Sequence, residues 1–211
     1  MLSISVDLTD KLCVVVGGGE VALKRVETLL EAGAKICVIS PDVCSELQEL
    51  HSNSQINWHV SFFKNELPDN STLVVAATNS SKVNEAVVKY ANDRKILVNN
   101  AGDATSGNVQ FPAVVRRGDL TITITTHGAS PSLTAKLKKE ISEKYGSEFE
   151  PYLELLKALR YELFAATQDK IKRMEIGRKL AGNEVLYVLT KQGKTNEAMD
   201  EGRSCILRAL E

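Results

Sequence analysis

The sequence predicts an α/β protein: a doubly wound parallel sheet, a short element of different strand type, and a helical C-terminal domain. Three observations carry this. Apolar, β-branched runs at Leu12 to Val16 (LCVVV), Lys35 to Ile39 (KICVI) and Leu73 to Ala77 (LVVAA) are separated by amphipathic stretches, as strands covered on both faces are separated by crossover helices. Asp119 to Thr126 (DLTITITT) instead alternates polar and apolar residues, the pattern of a strand with one open face. From Pro151 onward β-branched residues become few and leucines recur at helical spacing.

The elements follow in order. After LCVVV, the residues Ala22, Val26, Leu29 and Leu30 recur at i, i+4, i+7 and i+8 and predict a helix that stops at Gly33, a suitable C-terminal cap. KICVI closes a β-α-β unit. Asn57 to Phe62 adds a short strand, and LVVAA and Ile96 to Val98 enclose a helix from about Lys82 to Asn92. Past Pro112 the alternating segment predicts an antiparallel strand, HGASPS a turn, and Leu133 to Tyr145 a helix. Leu153, Leu156, Leu159 and Leu163 predict the inner stripe of the first helix of the C-terminal domain.

The turn after the first strand carries chemistry. In VVVGGGEVA, Gly17 and Gly19 follow a strand and Ala22 lies inside the next helix, matching G-x-G-x-x-G/A in the setting that gives it meaning, a Rossmann dinucleotide site. Gly17 permits the tight turn, Gly19 lets a pyrophosphate approach the backbone, and Ala22 lets the helix pack on the strand. The helix N-terminus offers unpaired N–H groups to the phosphates, with Glu20 and Val21 along the cofactor. An acid that binds ribose is expected about 20 residues further on; here the second strand runs into Ser40, Pro41 and Asp42. Asp42 either takes that role or serves as a turn residue or helix cap. No Arg follows to pair with a 2′-phosphate, so NAD is favoured over NADP. Thr78 and Asn79, after LVVAA, either line the same crevice or form a plain turn.

Composition excludes other classes. With 43% hydrophobic and 25% charged residues and a formal net charge of -1, the chain has the make-up of a globular protein without the basic footprint of a nucleic-acid binder. Residues 1–113 hold 9 Lys/Arg against 13 Asp/Glu, and 114–211 hold 17 against 14, so the second part is the better host for an anionic ligand. No apolar run approaches the ~20 residues of a membrane span, and Met1 to Asp10 lacks the basic-then-apolar order of a leader. Cys13, Cys37, Cys44 and Cys205 show no C-x-x-C spacing. A cytoplasmic protein without disulfides is expected.

The segments VVVGGGEVALKR, VAATNS, VNNAGD and THGASPSLTAKLKKEI, in this order and spacing, resemble the precorrin-2 dehydrogenases of sirohaem synthesis, whose relatives include dehydrogenase/ferrochelatase enzymes. The likeness covers residues 1 to 145, and GASPSL (Gly128 to Leu133) is its more specific half. It implies a Rossmann NAD-binding domain over 1–112, a dimerisation domain over 113–146 and a helical C-terminal domain over 147–211. It also implies a homodimer that binds a carboxylate-rich tetrapyrrole and removes two hydrogens from precorrin-2 to give sirohydrochlorin, with NAD as acceptor. Substrate-facing groups are then expected at Thr125, Thr126, Ser130 and Arg116, with Arg117, Lys136 and Arg160 as further cations.

The family places a catalytic aspartate after a V-N pair, commonly as N-V-x-D-D. Aligned from Val98-Asn99, its first acidic position is Gly102 and its second Asp103. Asp103 either takes over the acid's role or is an Asx-turn residue in a Gly-rich loop. His127, with an unperturbed pKa near ~6.5, is the other candidate for proton transfer. No H-x-x-x-H or clustered acidic ligand set suggests a metal site, and His51 and His59 fall in the nucleotide domain, so chelation is expected of another protein. A non-enzymatic NAD-sensing module is the rival reading; such modules keep the strand-end acid and lack a THGASPSL-like segment.

Overall fold

A computed structural model describes residues 2–211, which divide into two compact units with the boundary between Phe111 and Pro112. In the first, β1 (Leu12–Val16), α1 (Glu20–Glu31), β2 (Lys35–Ser40), α2 (Ser45–Ser52), β3 (Asn57–Val60), β4 (Ser71–Ala76), α3 (Ser81–Asp93) and β5 (Leu97–Asn100) follow one another. The five strands form one parallel sheet in the order β3-β2-β1-β4-β5.

The continuous apolar runs have a direct cause, since successive side chains of a strand point to opposite faces and both faces are covered. Cys13, Val15, Ile36, Val38 and Val75 pack with Ala22, Leu23, Val26 and Leu29 of α1 and Leu47 of α2. Val14, Val16, Cys37, Ile39, Val74 and Val98 pack with Val87, Val88 and Ala91 of α3. Helix α1 ends at Glu31, with Ala32 as its C-cap, and the chain continues through Gly33 at φ 73°. Helix α2 was expected only through the cap reading of Asp42: it is short and buries only Leu47, too little for a periodic signal.

In the second unit, β6 (Ala113–Arg117) and β7 (Leu120–Ile124) form an antiparallel ribbon, followed by α4 (Pro131–Lys144). The alternating segment is therefore a strand as expected, though its partner β6 was not foreseen. Helices α5 (Phe149–Ala166), α6 (Lys170–Ala181), α7 (Glu184–Lys191) and α8 (Thr195–Leu210) complete the unit. The inner stripe of α5 is Tyr152, Leu155, Leu159 and Leu163. Leu153 and Leu156 are only partly buried, so the expected stripe is corrected in its first turns, where Tyr152 and Leu155 take the buried places. No described helix is long and apolar enough to cross a membrane.

Candidate active site

The strand order reverses between β1 and β4, and the loops at their carboxyl ends open the crevice where doubly wound sheets bind ligands. Gly17 leaves β1 at φ 126°, a conformation open to glycine at no steric cost; its N–H donates to Ile39 O at 3.0 Å. A Cβ at Gly17 would collide with the Ala77 carbonyl, and one at Gly18 with the Asp42 carbonyl, with Val43 Cα 2.9 Å away. At Gly19 a Cβ would meet nothing within 4 Å. The turn is thus closed by protein at its first two glycines and open at the third. Gly19 is also the N-cap of α1 and provides no side-chain cap, so the first N–H groups of that helix are left to a ligand. This geometry fits a dinucleotide pyrophosphate. Glu20 and Val21 begin the helix, and Val21 is exposed.

The end of β2 is organised around the same turn. Ser40 is buried and its hydroxyl donates to Asp42 O at 2.6 Å, while Cys44 N donates to Gly18 O at 2.8 Å. Pro41 is half-buried. The Asp42 side chain is exposed and forms no hydrogen bond or ion pair among the described residues. The helix-cap reading of Asp42 is corrected: the N-cap of α2 is Cys44.

Across the crevice, Thr78 is tied to a residue that sequence reasoning missed. Asn84 of α3, 3% exposed, accepts at Oδ1 from Thr78 N (3.0 Å) and Thr78 Oγ1 (2.8 Å), and donates from Nδ2 to Thr78 O (3.1 Å). Asn79, beside it, is exposed. Asn100, at the end of β5, is equally hidden at 5% exposed and spans the next loop from within. Its Oδ1 accepts from Gly102 N at 3.0 Å and its Nδ2 donates to Ser106 Oγ at 2.7 Å. Asn84 gives no sequence signal, because a polar residue on a helix reads as surface, and Asn100 lies within VNNAGD without its bonds being legible there.

Asp103 lies exposed in that loop. Its Oδ1 accepts from Thr105 Oγ1 (2.7 Å) and Thr105 N (2.9 Å), which is an Asx turn. The Thr105 hydroxyl, together with the Thr105 amide, holds the Asp103 carboxyl below its ordinary value. Oδ2 takes no part in the turn, so the turn and a role toward a ligand use different oxygens.

In the second unit the segment between β7 and α4 is a closed turn. His127 (φ 50°) and Gly128 (φ 84°) are both left-handed, and His127 N donates to Thr125 Oγ1 at 3.1 Å. Thr126 Oγ1 accepts from Ser130 N and lies 3.1 Å from Thr134 Oγ1. Ser130 caps α4, its Oγ accepting from Leu133 N at 3.2 Å. Thr126 and Ser130 therefore have structural tasks, whereas Thr125 and the His127 imidazole are exposed. Arg116 is exposed on β6 opposite Thr121. Of the further cations, Arg117 binds Ser142 O and Oγ, Lys136 pairs with Glu140 at 3.8 Å, and Arg160 stacks on the Phe164 ring. Among the described residues no group of three or more His, Cys, Asp or Glu is placed to hold a metal ion.

Comparison with known proteins extends this picture. The family model described as "Putative NAD(P)-binding" matches residues 4–113, and the one described as "Sirohaem biosynthesis protein central" matches 117–144. The precorrin-2 dehydrogenase of Priestia megaterium is 31% identical over 192 residues, 91% of this chain and 95% of that one. The chain belongs to the precorrin-2 dehydrogenase family. A second member, the precorrin-2 dehydrogenase of Bacillus subtilis (strain 168), is 34% identical over 149 residues, 71% of this chain and 91% of its own. The solved structure of SirC, a precorrin-2 dehydrogenase, superposes with a TM-score of 0.80 at 31% identity, covering 97% of this chain and 100% of that one.

Proposed function

We propose that the protein oxidises precorrin-2 to sirohydrochlorin in sirohaem biosynthesis, with NAD as acceptor. The observation that carries this reading is the turn closed at Gly17 and Gly18 and open at Gly19, in a chain that belongs to this family along nearly its whole length. Bound NAD supplies the hydride acceptor. The protein's part is binding, orientation and one proton transfer. Gly19 and the N–H groups of Glu20 and Val21 receive the pyrophosphate, Ser40 and Pro41 shape the wall of the ribose site, and Asp42 receives the ribose hydroxyls with its unpaired carboxylate. Thr78 and Asn79 line the opposite wall.

The macrocycle loses a hydride and a proton. We assign the proton to Asp103 Oδ2, the oxygen left over by the Asx turn, with His127 as the second candidate. A carboxylate held below its usual pKa is a weak base. The reaction demands little of it, because the conjugation gained in the product supplies driving force. Thr125, Thr126, Ser130 and Arg116 form the substrate side of the reading. Residues 1–112, 113–146 and 147–211 are taken as its nucleotide-binding, dimerisation and helical domains, and chelation is left to another protein.

The homodimer belongs to the same proposal. Helix α4 buries none of its residues, Leu133 is 47% exposed, and β6 and β7 form a two-stranded ribbon, too little sheet to be stable without further cover. A cytoplasmic location fits buried thiols at Cys13 and Cys37. The test of function is optical: mixing the protein with NAD and precorrin-2 should develop the sirohydrochlorin spectrum, and a spectrum that does not change would refute the reading.

A further inference from the structure

We propose that Asn100 is the positioning residue for Asp103, holding the Gly102–Ser106 loop so that the carboxylate stands in one place at the end of the crevice. This rests on Asp103 acting in the proposed reaction, and gives a role to a residue that stands where the family's acidic motif has valine. The orientation of the Asn100 carboxamide is fixed by chemistry, since the Gly102 N–H can only donate, so the atom 3.0 Å from it is Oδ1. Nδ2 therefore faces Ser106 Oγ at 2.7 Å. That hydroxyl, having accepted from Asn100, turns its own proton toward Asp103 O at 3.4 Å. One buried side chain thus grips the loop before Asp103 and after it.

Its base is rigid. Asn100 stands opposite Ala76 in the parallel pairing of β4 and β5, and Ala101 N donates to Ala76 O at 2.9 Å. The space beside the loop is equally bounded: a Cβ at Gly102 would lie 3.3 Å from Asn84 Nδ2 and 3.5 Å from Asn100 Oδ1. Asn84 is the residue that holds Thr78. The two buried carboxamides therefore both border Gly102, one securing the proposed cofactor wall and the other the proposed base. A displacement of about 1 Å between such groups can cost up to ~10²-fold in rate.

Asn100→Ala removes both grips while leaving the Asp103 carboxylate and its Thr105 turn intact. Turnover is expected to fall about 10-fold, with the KM for NAD within about twofold of wild type. The decisive readout is a double-mutant cycle with Asp103→Asn. If Asn100 acts through Asp103, Asn100→Ala lowers turnover less than about twofold further in the Asp103→Asn background. A repeat of the full loss in that background would overturn the inference while leaving the role of Asp103 standing. Asp103→Asn with wild-type turnover would instead refute the base reading, and with it any carboxylate for Asn100 to position. Ser106→Ala, at a half-buried site, removes the outer grip alone, and the same non-additivity, at smaller amplitude, is expected if Asn100→Ala fails to fold.

Discussion

Gly18 and Gly19 are adjacent, identical in sequence terms, and opposite in what they do. A side chain at Gly18 must push back the Asp42 carbonyl and the Val43 backbone, whereas one at Gly19 enters space the protein leaves empty. Gly18→Ala should therefore cost about 1–3 kcal/mol of stability, as overpacking does. Gly19→Val should melt close to wild type yet bind no NAD by calorimetry; retained affinity would remove the cofactor assignment. Asp103 can be divided in the same way. Asp103→Asn keeps an Oδ1 that accepts from Thr105 and removes the charge, so turnover should drop about 10²-fold, the low end for general base catalysis, with melting temperature and NAD affinity little changed. Because the Thr105 bonds hold the Asp103 carboxyl below the ordinary carboxylate range, it is lost as a base only when pH falls below that range. Any loss of turnover that Asp103 causes should accordingly appear only at acid pH, and an acid limb near neutrality would contradict the assignment to Asp103.

The elements differ in how legible they were. LCVVV, KICVI and LVVAA declared themselves because strands buried on both faces need no polar residue, and α1 and α3 because each presents one face to that sheet. The ribbon was half legible: β7 alternates, whereas β6 starts after Pro112 and ends in Arg116 and Arg117, which obscure its apolar core of Val114 and Val115. In the crevice, the glycine motif and the two readings of Asp103 were visible. The roles of Asn84 and Asn100 were not, because what buries them is bonding to neighbouring loop groups, Thr78, Gly102 and Ser106, and no periodicity records that. At Ser130 and Thr126 the sequence does not separate two tasks, since capping and ligand binding call for the same hydroxyls. Helix α4 carries the element-scale prediction. If its uncovered face is the dimer surface, Leu133→Asp should give a monomer in sedimentation at micromolar concentration; an unchanged dimer would place the interface elsewhere.

For the whole molecule, the weight rests on a sheet whose central strand carries a buried thiol at its second residue. Burial pushes Cys13 up to about 11 from 9.0, so the folded state holds that proton where the unfolded chain releases it. The contribution is complete below pH 9 and is lost as pH rises toward 11. Melting temperature should fall across this alkaline window, and Cys13→Ala should flatten that part of the profile whatever its cost at neutral pH. Stability, however, says nothing about the reaction. The central claim is that a dinucleotide in the Gly19 cradle takes the hydride from a tetrapyrrole, and the most direct measurement follows both partners in one anaerobic cuvette. Wild-type protein with NAD and precorrin-2 is expected to form one NADH for each sirohydrochlorin, and Gly19→Val neither. Sirohydrochlorin forming without NADH, or at the wild-type rate in Gly19→Val, would contradict the account.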